Sequence, residues 1–314
     1  MQASSVVAWA WIPIVVAAAM AQTARNAAQR TLTAQVGTLG ATLVRFLYGL
    51  PFAALAVALL QVLSDAPLAL PHFNVGFFAW LAFGAISQIA ATALLLGAMK
   101  ERNFIVAVTY SKTEVLQVAL FAAVFLHEIP AWPTLVAIGV ASVGVVMLSL
   151  PQGASAKPGA ASDPARGWGG RVAMLGLASG AGFALSAVGY RGAALQLPGV
   201  SPWLAAAWAV LCAQALQSLL LGGWLALRSP EALRGIRRAW RISLLAGGMG
   251  ALASMAWFTG FALRPAADVR TLGLVEVLFS YLVSRRLLRE KLGLAEQAGL
   301  GLVAIGLVVV CARL

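Results

Sequence analysis

Two stretches decide the fold: Thr109-Tyr110-Ser111-Lys112-Thr113-Glu114-Val115-Leu116 and Thr271-Leu272-Gly273-Leu274-Val275-Glu276-Val277-Leu278. They lie 162 positions apart. The same offset, without a gap, carries Arg102 onto Arg264, Glu128 onto Glu290, Gly139 onto Gly301 and Gly144 onto Gly306. Apolar coincidences are cheap in a chain with 61% hydrophobic residues, but matched charges are not when charged residues make up only 10%. The offset therefore marks an internal duplication.

Outward from the repeat, composition sets the class. A soluble domain carries about 25% charged residues, more than twice the share here. Mean hydropathy is +0.89, which is what a lipid solvent demands. On a ruler of about 20 apolar residues per span, ten helices are predicted near 7–28, 38–61, 75–99, 104–126, 132–150, 171–190, 202–227, 242–262, 267–288 and 294–312. The fold class is thus an all-α integral membrane protein. Residues 1–150 form one five-helix repeat, 151–170 a Gly/Pro/Ala/Ser-rich linker loop and 171–314 the second repeat. Five is odd, so the second repeat enters the membrane in the opposite sense. Inverted repeats of this kind place a solute site near the midplane between the halves and rock around it. The sequence therefore points to movement of a small solute across a lipid bilayer.

Residues 6–21 are apolar and end in Ala19-Met20-Ala21, like a signal-peptidase site, but residues 1–5 carry no basic residue, so a retained first span is expected. Of the 22 basic residues, sixteen fall after odd-numbered spans. Four (Arg191, Arg264, Arg270, Arg313) fall on the opposite face, and Arg45 and Lys112 lie inside spans. The positive-inside rule then puts both termini outside the cytoplasm.

The formal charge of +12 comes without a nucleic-acid-binding motif, so no nucleic-acid partner is expected. Cys212 and Cys311 are far apart in apolar segments and read as packing. His72 and His127 are the only histidines, and no H-E-x-x-H, P-loop or G-x-S-x-G is present. Leu177-Ala178-Ser179-Gly180 lacks the preceding glycine of a serine-protease signature. No enzyme, metal or cofactor is expected. A receptor or assembly subunit stays open beside the carrier reading.

Ten spans in a 5+5 repeat resemble the EamA-type branch of the drug/metabolite transporter superfamily, as do Arg45-Phe46 in the second span and Glu128 and Glu290 closing the fourth and ninth. Gly139, Gly144, Gly301 and Gly306 in the helices that follow add to the resemblance, which covers nearly the whole chain. It implies a central cavity lined by spans 1–4 and 6–9, and efflux or exchange of amino acids, metabolites, nucleotide derivatives or drugs. It also implies a bacterial-type inner membrane, with cytoplasmic termini against the charge count. Members often carry proline within spans 4 and 9, and here neither stretch does.

Ionisable groups at helix centres cost about 2.5–3.5 kcal/mol each on insertion scales and are functional suspects by default. Glu114 and Glu276 are mid-span and equivalent by the repeat; they read as proton-coupling or cation-binding groups, or as a buried ion pair fastening helices. Lys112 is two residues from Glu114, on a different helical face, so the two are not expected to pair. Arg45 or Arg270 is the expected partner of a glutamate. Tyr110 and Gln117 share a face with Glu114. Gln22, Arg25 and Asn26, with Gln29, form a polar stripe at the predicted end of helix 1, read either as a cavity wall or as an interfacial helix end. Gln88, Tyr190 and Trp257 complete the candidates, each open to a packing role. The glycines of spans 5 and 10 serve either a homodimer or packing within a monomer.

Overall fold

The computed structural model describes residues 2–63, 70–101, 104–149 and 170–286, together with helical residues within 297–305. The described elements are all α-helical. Five helical stretches are long and apolar enough to cross a membrane: Trp9–Val62, Val75–Glu101, Arg171–Leu195, Pro202–Arg228 and Trp240–Leu263. They are the spans of a multi-pass membrane protein.

Helix α1 (Gln2–Leu47) is too long for one span, and Gly37 breaks it at φ 72, ψ 173. Side chains are essentially barred from that region, so the chain turns there without a loop. The arm over 38–47 continues through a turn at Tyr48-Gly49 into α2 (Leu50–Val62). The predicted end of helix 1 at 28 is therefore corrected: the helix runs to the Gly37 elbow, and Gln22, Arg25, Asn26 and Gln29 lie inside it, buried.

Helices α3 (Val75–Glu101), α6 (Trp132–Ser149), α7 (Arg171–Leu195) and α8 (Pro202–Arg228) begin where the hydropathy ruler puts them. Between them, the expected fourth span is two helices, α4 (Phe104–Ser111) and α5 (Glu114–Leu126). After α8 comes α9 (Pro230–Arg238), a helix in the stretch between the seventh and eighth expected spans. It buries Ile236 and exposes Arg234, Arg237 and Arg238. Then follows α10 (Trp240–Leu263), and the expected ninth span is again two helices, α11 (Ala266–Leu272) and α12 (Val275–Arg286). The linker over 151–169, Glu290, Gly306 and most of the tenth span lie outside the described residues.

The most extensive packing joins α3 to α7 and α1 to α10. Small residues let these backbones approach, as lipid-embedded helices require. A Cβ on Gly189 of α7 would stand 2.7 Å from the backbone of Gly84 in α3, and one on Gly182 would stand 2.9 Å from Ala91. Gly250 of α10 does the same against α1, where its Cβ would meet Arg25 Cδ at 3.4 Å and Arg45 Cβ at 3.5 Å. Helices α2 and α8 also pack together, as do α4 with α12 and α5 with α11. The polarity runs inside out. Leu59, Leu120, Leu219 and Leu252 face outward, while Arg25, Arg45, Lys112, Glu114, Arg270 and Glu276 are buried.

Candidate functional site

The site is built where two helices break. After Ser111 the hydrogen bonds shorten from i→i−4 to i→i−3: Lys112 N donates to Thr109 O at 3.0 Å and Val115 N to Lys112 O at 3.2 Å. Two hydroxyls compete for carbonyls at the same place, Ser111 Oγ on Val108 O at 2.7 Å and Thr113 Oγ1 on Tyr110 O at 2.9 Å. Such local bonds weaken a continuous helix. The second break repeats the pattern, with Leu274 N on Thr271 O at 3.2 Å and Glu276 N on Gly273 O at 3.0 Å. Both breaks thus form without proline. Each leaves a glutamate in the first turn of a new helix, Glu114 in α5 and Glu276 in α12, where the helix dipole favours negative charge.

Helix α7 presses on the first break through Gly180, whose Cβ would stand 2.8 Å from the Ser111 carbonyl oxygen and 2.9 Å from Thr113 Oγ1. At the second break, the absence of a side chain on Gly273 lets the Trp257 ring lie against the backbone.

The breaks bring both carboxylates to one ammonium. Lys112 Nζ donates to Glu276 Oε2 and, at 3.2 Å, to Glu114 Oε1. The expectation that Lys112 and Glu114 point apart is corrected: it assumed an unbroken helix, and the turn at 112–113 swings the lysine onto its neighbour. Arg270 reaches Glu114 Oε1 at 3.5 Å. From α1, Gln22 Nε2 donates to Glu276 Oε2, and Asn26 Nδ2 to Glu276 Oε1 at 3.0 Å. Trp257 Nε1 donates to Gln22 Oε1 at 2.9 Å, and the Arg270 guanidinium lies over the indole ring, 4.6 Å from its centroid. Arg25 donates to Asn26 Oδ1 at 2.7 Å. Helices α1, α5, α10, α11 and α12 and the α4–α5 turn therefore meet on Glu276, Glu114 and their partners.

A solved structure described as "Crystal structure of protein" is similar to this chain. The identity is 17%, over 99% of this chain and 98% of the other, with a TM-score of 0.60. The likeness is one of fold. No protein-family model matches the chain, and no curated protein does.

A second polar group lies between α3, α7 and α8. Tyr190 Oη donates to Gln88 Oε1 at 3.0 Å, and Gln217 Nε2 donates to the same oxygen at 2.9 Å. Arg45 donates to Thr92 Oγ1 at 2.8 Å on α3; it is Arg270, not Arg45, that reaches Glu114. Tyr110 packs against Gly176 of α7, and Gln117 follows along α5 with its Oε1 buried. The two glutamates, Lys112, Gln22, Arg25, Asn26 and Trp257 thus converge, Gln88 and Tyr190 form a group of their own, and Tyr110 in α4 and Gln117 in α5 lie on either side of the first break.

Sequence reasoning missed Gln217, although three polar residues in an apolar span (Gln214, Gln217, Ser218) signalled it. Arg270, counted among the basic residues of the opposite face, is instead buried in α11. A cleft of about 570 Å³ lies elsewhere, at the Gly37 elbow, lined by residues such as Gln35, Trp224, Glu231 and Arg238. None of the candidate residues line it. Among the described residues no three His, Cys, Asp or Glu side chains group as metal ligands.

Proposed function

We propose that this chain is a secondary transporter of the EamA type, moving a small solute by alternating access through ten spans arranged as a 5+5 inverted repeat. The observation that carries the reading is the buried charged cluster at the two helix breaks. Six ionisable side chains in an apolar, multi-span protein are costly to retain, and intramembrane charges of this kind mark solute or ion pathways. Broken helices at the interface of repeats are the usual site in such carriers.

Three relations support the repeat. Helices α4 and α11 begin at Phe104 and Ala266, 162 residues apart. The same offset maps α3 onto α10 and α7 onto the first arm of α1, so the two most extensive helix pairings are images of each other. It also maps the pairing of α4 with α12 onto that of α11 with α5. A duplicated unit folded about a two-fold axis has this property.

The reading is tested by reconstituting the protein in liposomes with a pH-sensitive dye inside and presenting amino acids, organic anions and cationic drugs. A solute-specific flux that falls in Lys112→Met and Glu276→Gln is the expected result. No flux for any solute, from protein that stays monodisperse, would overturn it. A solute-driven pH change lost in Glu114→Gln or Glu276→Gln would assign proton coupling to that carboxylate.

A further inference from the structure

We infer that the buried cluster binds a small dianion, one carrying carboxylate or phosphate groups. The inference rests on the transporter reading and adds to it the charge of the solute. Among the described residues the buried Arg, Lys, Asp and Glu side chains are Arg25, Arg45, Lys112 and Arg270 against Glu114 and Glu276. Four cations facing two anions leave two positive charges without a counter-charge. Arginine keeps its charge when buried, and Lys112 is held as an ammonium between two carboxylates.

The surplus is localised. Lys112 contacts both carboxylates, and Arg270 reaches one oxygen of Glu114 at the outer limit of a hydrogen bond. Arg25 donates to Asn26 and Arg45 to Thr92, both neutral. Two guanidinium nitrogens, Nη1 of Arg25 and Nε of Arg270, are buried with no partner. The three arginines gather around α1 and α10: the Arg25 side chain and the Arg45 backbone both border Gly250 of α10, and Arg270 lies over Trp257 of α10, whose indole is bonded to Gln22, one turn from Arg25 on α1. A buried charge is tolerated when paired and hydrogen-bonded. The partner that supplies both here is an anion able to accept from guanidinium forks, the geometry that carboxylate and phosphate share. Trp257, stacked on Arg270, holds that guanidinium in one plane.

The two halves of the chain contribute together: Arg25 and Arg45 flank the Gly37 elbow, and Arg270 comes from α11. A dianion between them would tie the halves to each other, as a carried solute must.

The experiment is thermal unfolding of the purified full-length protein in neutral detergent at constant ionic strength. The probes are succinate, sn-glycerol 3-phosphate, lysine and tetraphenylphosphonium. We expect saturable stabilisation by a dianion, succinate reporting a carboxylate ligand and glycerol phosphate a phosphate one. Arg25→Gln and Arg270→Gln should weaken that response at least about tenfold. Arg25→Lys and Arg270→Lys, which keep the charge, should retain part of it and serve if the glutamine variants do not fold. Glu114→Gln should tighten dianion binding, because it removes a negative charge and frees Arg270; a cation site would respond in the opposite direction. Stabilisation by lysine or tetraphenylphosphonium alone, no response to either dianion, or a dianion response unchanged in both glutamine variants would overturn the inference. Counterflow in liposomes separates the two readings. A dianion that binds but never crosses would sink the transporter and leave the site, whereas a cation that crosses without dianion binding would do the reverse.

Discussion

Gly37 and Gly139 are both glycines with open space around their Cα, yet they are not equivalent. A Cβ at either would meet nothing within 4 Å, so packing cannot distinguish them. Backbone conformation does: Gly37 sits at φ 72, ψ 173, whereas Gly139 is inside helix α6. Gly37→Ala should therefore cost about 1–3 kcal/mol in unfolding free energy. Gly139→Ala should be neutral or stabilise by about 0.5–1 kcal/mol, both read from denaturation in detergent. Lys112 gives a second contrast. Removing one partner from a buried ionic network leaves the rest uncompensated, so Lys112→Met should destabilise by about 3–5 kcal/mol. Lys112→Arg, which keeps the charge, should lose less in the same measurement.

At the scale of elements, apolar runs and turn residues gave away most helices. The starts of α3, α6, α7 and α8 follow from Asn74, Trp132-Pro133, Gly170 and Ser201-Pro202. Three features escaped. Hydropathy sees only apolar runs, so the buried polar stripe of α1 resembled a helix end, and amphipathic α9 resembled a loop. The break at Lys112-Thr113 left no local mark either, since neither residue stops a helix. It arises from local hydroxyl competition, which Ser and Thr also offer within unbroken helices (Thr42 on Thr38 O in α1), together with α7 pressing through Gly180, which requires knowing the neighbour. Glu114, Glu276 and Lys112 were readable as candidates because charge is rare here. Their junction was not, because it depends on those breaks. Gly180→Val should push the Ser111 carbonyl aside and cost about 1–3 kcal/mol, as overpacking does. A drop in thermal midpoint with parallel loss of solute flux is the expected reading.

For the whole molecule, the structure revises the charge count behind orientation. Arg25 and Arg270 are interior, which lowers the sequence count from sixteen against four to fifteen against three. By the positive-inside rule the bias still favours termini outside the cytoplasm, which would put the exposed arginines of α9 on the cytoplasmic face. A reporter active only in the cytoplasm, fused after Leu314, should stay dark; a bright fusion would reverse the topology and favour the family resemblance.

The surplus of two buried charges also has an electrical meaning. An empty carrier that swings its cluster through the membrane field moves those charges with it, against or along about 2.3 kcal/mol per charge for each 100 mV. A carrier loaded with a dianion moves none. Exchange of one dianion for another should then be indifferent to an imposed potassium-valinomycin voltage, while net efflux should change steeply with it. The protein would behave as an obligate exchanger wherever the voltage opposes the empty return.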